Sequence, residues 1–177
     1  MRVLVPGAVV LVAFGCAHTP PPPDPPCKEP DLKVIVRGSD RLNMDERGRS
    51  LAVVVRVYQL KTLRTLDDAD FEQMWQHDKE TLGPDLVSAD EVTVEPADKK
   101  SIAVKRAPDA HYLAAVGLFR KPDGVAWRAT RPLRPLCAGE GPKGKGEEDR
   151  QDRPVKAPPP ELLVGFVAED YRIEAGS

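Results

Sequence analysis

The chain contains 177 residues, of which 26 are Lys or Arg and 28 are Asp or Glu, so its formal net charge is −2. This length suits one domain. The near-balanced charge provides no excess positive field, which argues against a nucleic-acid partner held through its phosphates. The three His and three Cys are scattered without tight spacing, which argues against a metalloenzyme or a dithiol redox enzyme.

The N-terminus carries an apolar run over residues 3–14, followed by Gly15 and Cys16. About a dozen apolar residues are too few for a bilayer span, which needs about 20, so the run predicts the core of a signal peptide. The Gly15-Cys16 pair resembles the bacterial lipobox, whose Cys is acylated and becomes the mature N-terminus. We expect residues 1–15 to be a lipoprotein signal peptide and Cys16 to be lipidated. The alternative is ordinary cleavage and a soluble secreted domain.

A Pro-rich segment follows, with six Pro within residues 20–26. Such a run adopts an extended polyproline helix and forms a stiff spacer. We therefore interpret residues 16–30 as a lipidated Cys and a tether. Ala17 rather than Asp follows the Cys, which by analogy with lipoprotein sorting in Gram-negative bacteria implies the outer membrane, with the domain facing the periplasm.

Cys27 and Cys137 remain once Cys16 is assigned to the lipid. Exported proteins keep disulfides, and a bond between cysteines so far apart in sequence would close a long loop and stabilise the fold. The sequence leaves two alternatives open, a Cys27–Cys137 disulfide or two free thiols.

The rest of the chain reads mostly as strands. Leu32, Val34 and Val36 alternate with more polar residues, and residues 51–60 form a β-branched run that predicts a central strand because it is apolar on both faces. Residues 66–83 change to a helical period and predict one amphipathic helix that stops at Gly83-Pro84. Further strands are predicted at 92–94, 102–104, 112–119, 125–127 and 162–167.

Seven or eight short strands with regular turns and one inserted helical segment indicate a mainly β fold, a two-sheet β-sandwich spanning residues 31–177 as one domain. Residues 138–160 interrupt this pattern with many charges, several Gly and Pro and almost no apolar residue. Such a segment cannot bury enough surface to offset its ordering entropy, so we predict a disordered charged loop.

The search for chemistry finds no catalytic residue and no metal or cofactor site. His77 and His111 have no nucleophile or second ligand at a recognisable spacing, and no serine lies in a Gly-x-Ser-x-Gly elbow. Residues 43–48 superficially resemble a calcium loop, but Arg47 stands where an oxygen ligand is needed. A binding or structural protein is therefore favoured over an enzyme.

The most specific sequence feature is a polar loop at 40–50 that runs into Leu-Ala-Val-Val-Val-Arg-Val-Tyr-Gln-Leu at 51–60. Together these residues resemble the TssJ/VasD family, the outer-membrane lipoproteins of type VI secretion systems. The strings Asp70-Phe71, Val116–Arg120 and Trp127-Arg128 also follow the order of that family. The resemblance covers about residues 32–130.

The resemblance implies a transthyretin-like β-sandwich with a small helical addition, held by lipid at the inner leaflet of the outer membrane. Its implied role is to bind the periplasmic C-terminal region of the inner-membrane protein TssM and to form with TssL a trans-envelope complex, without catalysis and without a small-molecule substrate. The implied partner-binding loop comprises Leu42, Asn43, Met44, Asp45, Glu46, Arg47, Gly48 and Arg49.

The residues of this loop suit binding, since Leu42 and Met44 offer apolar contact, the charged residues offer oriented pairs and Gly48 allows positive φ. The alternative is a solvated hairpin loop. Arg56 lies mid-strand among valines, where we expect a satisfied ion pair or an edge position rather than partner contact. The alternative function is a lipid-anchored or secreted transthyretin-like sandwich that carries a small ligand or binds another envelope protein.

Overall fold

The computed structural model describes residues 29–134 and 161–176. Within these ranges, eight strands form two four-stranded sheets whose inner faces share one apolar core. The strands are β1 Asp31–Gly38, β2 Val53–Leu60, β3 Leu86–Val94, β4 Lys99–Val104, β5 Tyr112–Gly117, β6 Arg128–Pro132, β7 Glu161–Glu169 and β8 Arg172–Gly176. The first sheet has the order β4-β1-β7-β8 and the second has the order β3-β2-β5-β6. The predicted two-sheet β-sandwich is confirmed.

Strand β1 lies in the middle of the first sheet, antiparallel to β4 and parallel to β7. Leu32, Val34 and Val36 are at most 1% exposed and face the second sheet, whereas the residues between them point outward. This alternation is the one that the sequence predicts, because successive side chains of a strand point to opposite faces.

Strand β2 is the corresponding central strand of the second sheet, between β3 and β5. Val53, Val55 and Val57 face the core, and Tyr58 on the opposite face is also fully buried. The outer face is buried because the segment after β2 folds back over it. The prediction of a central strand that is apolar on both faces is confirmed.

The segment after β2 is helical, but the prediction of one helix over 66–83 is wrong. It forms α1 Arg64–Asp68, α2 Phe71–Gln76 and α3 Asp78–Leu82, followed by a 3₁₀ turn. Asp70 interrupts the run because its side chain accepts from the Gln73 N–H at 2.8 Å and its own N–H donates to the Gln73 side chain, a capping box that starts α2 afresh. The helical segment ends where predicted, because α3 stops at Leu82 and Gly83 adopts a positive φ of 47°.

Two arginines attach these helices to the second sheet. Arg128 on β6 donates to the carbonyls of Leu66, Asp67 and Ala69 at the end of α1 and stacks over Trp127 at 4.9 Å. Arg56 on β2 donates to carbonyls at the end of α2. Cations suit these positions because the last carbonyls of a helix have no intrahelical donor.

The strand predicted at 125–127 is a turn, and β6 begins at Arg128. Val125 is exposed in this turn, while Trp127 is buried and meets the Phe71 ring edge-on at 5.7 Å. The two apolar residues Val125 and Trp127 are therefore a surface residue and a core residue of a turn and do not form a strand. Strand β8 was not predicted because Ile173 is its one buried apolar residue.

Several predictions fall outside the described residues. They concern the signal peptide 1–15, lipidation at Cys16, most of the tether 16–30, the Cys27–Cys137 pair and the charged loop 138–160. Among the helices of the described ranges, none has the length and apolar character to cross a bilayer.

Candidate partner-binding site

The loop over residues 39–52 connects the two sheets, because β1 belongs to the first sheet and β2 to the second. It is therefore not the hairpin considered as an alternative. Three other connections lie at the same end of the sandwich, the β3–β4 turn at 95–98, the β5–β6 loop at 118–127 and the β7–β8 turn at 170–171. The described chain enters at Glu29, next to the opposite end of β1.

The first half of the loop is part of the fold rather than of the surface. Leu42 is fully buried in the core and Asn43 is 4% exposed. Gly38 permits this inward course, since a Cβ there would lie 2.9 Å from the Leu42 side chain and 2.6 Å from the Glu95 carbonyl oxygen. Leu42 and Asn43 therefore support the base of the predicted binding loop and do not form part of its exposed surface.

Asn43 joins three of the connections at this end, the loop 39–52, the β5–β6 loop and the β7–β8 turn. Its Nδ2 donates to the Ala52 carbonyl at 2.9 Å, its Oδ1 accepts from the Arg120 N–H at 3.0 Å, and its backbone N–H donates to the Asp170 carbonyl at 2.7 Å. Asn43 adopts φ 49°, a left-handed conformation that Asn tolerates better than most residues. The side chain and the backbone of this one residue therefore fix the loop at its base.

The exposed tip of the loop is organised by Asp45. Its carboxylate accepts from the N–H groups of Arg47 and Arg49, each at 2.9 Å, and from Arg49 Nε at 2.8 Å. These hydrogen bonds, the one from the Arg49 backbone foremost, lower the pKa of Asp45 below its usual value. Gly48 closes the turn at φ 72° with open space around it. The tip holds its shape through its own contacts.

Residues outside the loop support its outer surface. The Met44 carbonyl accepts from the Tyr171 hydroxyl at 2.7 Å, and the Glu46 carboxylate lies 3.2 Å from Arg120 Nη2 and 3.6 Å from Lys121 Nζ. Hydrogen bonds from its own backbone N–H and from Arg120 lower the pKa of Glu46.

Arg47 is the exposed cation of the tip. Nowhere in the described ranges does a carboxylate lie within ion-pair distance of its guanidinium. The site thus presents Arg47 freely, while Arg49 is held by Asp45 at 2.7 Å.

The sequence pattern did not identify Arg120, Lys121 or Tyr171 as neighbours of the loop. Each lies more than 70 positions from the residue that it contacts, and contacts at such separation leave no periodic signal. The one available signal is the Val116–Arg120 string, which forms part of the family resemblance.

Arg56 forms the expected ion pair and does not belong to the loop surface. Its Nε lies 3.1 Å from Glu91 and its Nη1 lies 3.5 Å from Asp78, which also accepts from the Tyr58 hydroxyl at 2.7 Å. Burial raises the pKa of Tyr58 well above its usual value. The prediction of a satisfied arginine is confirmed.

A surface cavity of about 450 Å³ lies beside this arginine, between α2, α3 and strand β3. Its lining consists almost entirely of polar and charged residues: Arg56, Gln76, His77, Asp78, Lys79, Glu80, Ala89, Asp90 and Glu91. Pockets for drug-sized ligands are predominantly apolar. The cavity therefore does not favour the alternative of a small-ligand carrier.

The two described histidines lie apart from each other. His77 is exposed and lies 3.1 Å from Glu80, and His111 is exposed at the start of β5. In the ranges 29–134 and 161–176, no three His, Cys, Asp or Glu side chains converge as a metal site would need.

Comparison with known proteins identifies the family. Residues 30–141, more than half of the chain, match the family described as "Type VI secretion lipoprotein, VasD, EvfM, TssJ". The chain belongs to this type VI secretion lipoprotein family. The resemblance to the TssJ/VasD family is thereby confirmed, and the family consists of structural lipoproteins of a secretion system rather than of enzymes. No curated protein sequence matches significantly.

Solved structures share the fold of this type VI secretion lipoprotein. The crystal structure of the type VI lipoprotein TssJ1 from Pseudomonas aeruginosa is similar with a TM-score of 0.62 and 19% identity, covering 86% of this chain and 96% of that chain. A chain in a structure described as the TssM C-terminal domain from EAEC gives 0.61 and 18%, covering 83% and 98%. A chain of a type VI membrane complex gives 0.64 and 20%, covering 85% and 100%.

Proposed function

We propose that this lipoprotein anchors the type VI secretion membrane complex at the outer membrane by binding the periplasmic C-terminal region of TssM, and through it TssL. The proposal rests on one observation: the C-terminal end of the predicted tether and the predicted binding loop lie at opposite ends of the sandwich. Glu29 lies before the first residue of β1, and the loop 39–52 follows its last residue. Eight residues of strand span roughly 26 Å, so a domain tethered through residues 16–30 presents the loop away from its anchor.

The entry point of the chain is fixed, which allows the tether to orient the domain. Arg106 is buried and its Nη1 lies 3.1 Å from the Glu29 carboxylate, as an ion pair without hydrogen-bond alignment. Its Nη2 donates to the carbonyls of Leu133 at 3.3 Å and Arg134 at 2.9 Å. The Arg106 guanidinium thus contacts Glu29, Leu133 and Arg134 at the end of the sandwich where the tether joins the domain.

The shape of the loop supports protein binding rather than catalysis. Its base is fixed through Asn43, its tip is ordered through Asp45, and Arg47 has no ion-pair partner among residues 29–134 and 161–176. A pre-ordered loop loses little conformational entropy when it binds. Membership of the type VI secretion lipoprotein family, together with the similar chains in the TssM and membrane-complex structures, supports the identity of the partner.

The proposal includes the unseen N-terminal steps, namely removal of residues 1–15 and acylation of Cys16. They are tested by comparing full-length protein with the Cys16→Ser variant in detergent-solubilised envelopes. We expect the unaltered protein to sediment with the outer membrane, to carry a triacylated N-terminal Cys16 by mass spectrometry and to co-purify with TssM. The variant should leave the membrane fraction. An unmodified N-terminus and no envelope partner would contradict the proposal.

A further inference from the structure

We infer that the docking face extends beyond the loop 39–52 onto the β5–β6 loop, with Val125 as an apolar anchor and with Arg120 and Lys121 as a cationic border, and that it takes an acidic segment of the partner. This inference rests on the proposed function. It adds to the binding loop three residues that lie more than 70 positions away in the sequence.

The two loops behave as one surface because hydrogen bonds and ion pairs tie them together. The Asn43 amide holds the Arg120 N–H from below, and the Glu46 carboxylate reaches both Arg120 and Lys121 from the loop tip. Further along, the Ala126 carbonyl accepts from the Ile173 N–H at 2.8 Å. The β5–β6 loop is therefore held on both sides.

Val125 projects from a rigid part of this loop. Its side chain is 67% exposed, although Trp127, two positions on, is 2% exposed and anchored in the core. The Ala126 N–H donates to the Asp123 carbonyl at 2.8 Å and closes the turn. An apolar side chain held outward by fixed backbone can enter a partner surface at little cost in conformational entropy.

An exposed apolar residue alone is ordinary, but the position of Val125 distinguishes it. The other large apolar side chains that are exposed in the described ranges lie elsewhere. Leu163 and Val167 are on the outer face of the first sheet, and Trp75 is on α2. Val125 is the one that lies on the same loop as Arg120 and Lys121, which contact Glu46.

The charges around Val125 indicate the chemistry of the partner. Arg120 and Lys121 share the Glu46 carboxylate, whereas Arg47 has no carboxylate within ion-pair distance among the described residues. The loops 39–52 and 118–127 together carry five cations, Arg41, Arg47, Arg49, Arg120 and Lys121, and four carboxylates, Asp40, Asp45, Glu46 and Asp123. The two loops therefore carry a surplus of one positive charge at neutral pH. Opposite charge on a partner gives orientation and a faster association. The surface fits an acidic segment that also offers an apolar contact.

The test measures binding of full-length protein in detergent to the immobilised periplasmic C-terminal fragment of TssM from the same bacterium. We expect Val125→Asp to weaken binding at least tenfold and Lys121→Glu at least threefold. The matched controls are Leu163→Asp, which is 64% exposed on the outer face of the first sheet, and Lys105→Glu, an exposed cation beyond β4. Both controls should bind within twofold of the unaltered protein, and all four variants should keep its melting temperature.

The outcomes separate this inference from the proposed function. If Arg47→Glu loses binding while Val125→Asp and Lys121→Glu bind like the unaltered protein, the face ends at the loop and the inference is wrong, but the proposed function stands. If Leu163→Asp weakens binding as much as Val125→Asp does, the loss of binding does not depend on the position of the new charge, and the inference is again wrong. If the unaltered protein does not bind the fragment, the proposed function fails and the inference fails with it.

Discussion

Asn43 and Arg120 lie 77 positions apart in the sequence, and the Asn43 Oδ1 accepts a hydrogen bond from the Arg120 N–H at 3.0 Å. This contact fastens the loop after β1 to the loop after β5, at the end of the sandwich opposite the point where the chain enters. The buried amide thus holds together the two loops that carry Glu46, Arg47 and Arg120.

Replacing Asn43 should loosen this end of the fold. Asn43→Ala leaves the Arg120 N–H and the Ala52 carbonyl without their partner and places Ala at a positive φ. An unsatisfied buried group costs about 1–3 kcal/mol, so we expect the free energy of unfolding in urea to fall by about 2 kcal/mol. The exposed neighbour Arg41→Ala serves as control, and equal stability of both variants would show that Asn43 does not fix the loop.

The stability of the protein should depend on pH through Asp45. Its pKa is lower in the folded state than in the unfolded chain, so its stabilising contribution is present above the unfolded value near 3.9 and is lost as the pH falls through the folded value. Asp45→Asn removes that part of the dependence. We expect the variant to be less stable than the unaltered protein at pH 7 and the gap to narrow at pH 3, as measured by thermal unfolding. A gap that stays constant would contradict this assignment.

Arg56 should contribute to stability and not to binding. Its guanidinium joins the carbonyls of Met74 and Trp75 with the carboxylate of Glu91. Because the side chain is partly exposed, solvent screening reduces these contacts, and we expect Arg56→Ala to lower the free energy of unfolding by about 1–2 kcal/mol. Arg64→Ala, an exposed arginine of α1, should change it little. Loss of TssM binding by folded Arg56→Ala would place Arg56 in the interface instead.

The two alternatives for Cys27 and Cys137, a disulfide or two free thiols, have a direct chemical test. If the bond forms, unfolded and unreduced protein should react with less than one equivalent of a thiol reagent, since Cys16 carries the lipid, and reduction should release two equivalents. Quantitative labelling of both Cys27 and Cys137 before reduction would establish two free thiols.

The sequence predicts the central strands well, because the alternation of buried and outward residues in β1 and β2 is visible within a short stretch of sequence, as at Val34 and Val36. It predicts the helical region but not its breaks, since the Asp70 capping box outweighs the apolar spacing. The proposal that the loop 39–52 binds a partner comes from the family resemblance. Its support by Arg120 and Tyr171 is a property of the tertiary fold, and no local pattern of residues 40–50 encodes it.

The most direct test of the account is the affinity of the Arg47→Glu variant for the TssM periplasmic fragment. Arg47 is exposed and no described carboxylate pairs with it, so its reversal removes a contact with the partner without removing one within the fold. We predict at least a tenfold loss of affinity with an unchanged melting temperature, while Arg64→Glu on α1 binds normally. Unchanged affinity of the Arg47→Glu variant would contradict the assignment of the loop 39–52 as the partner-binding site.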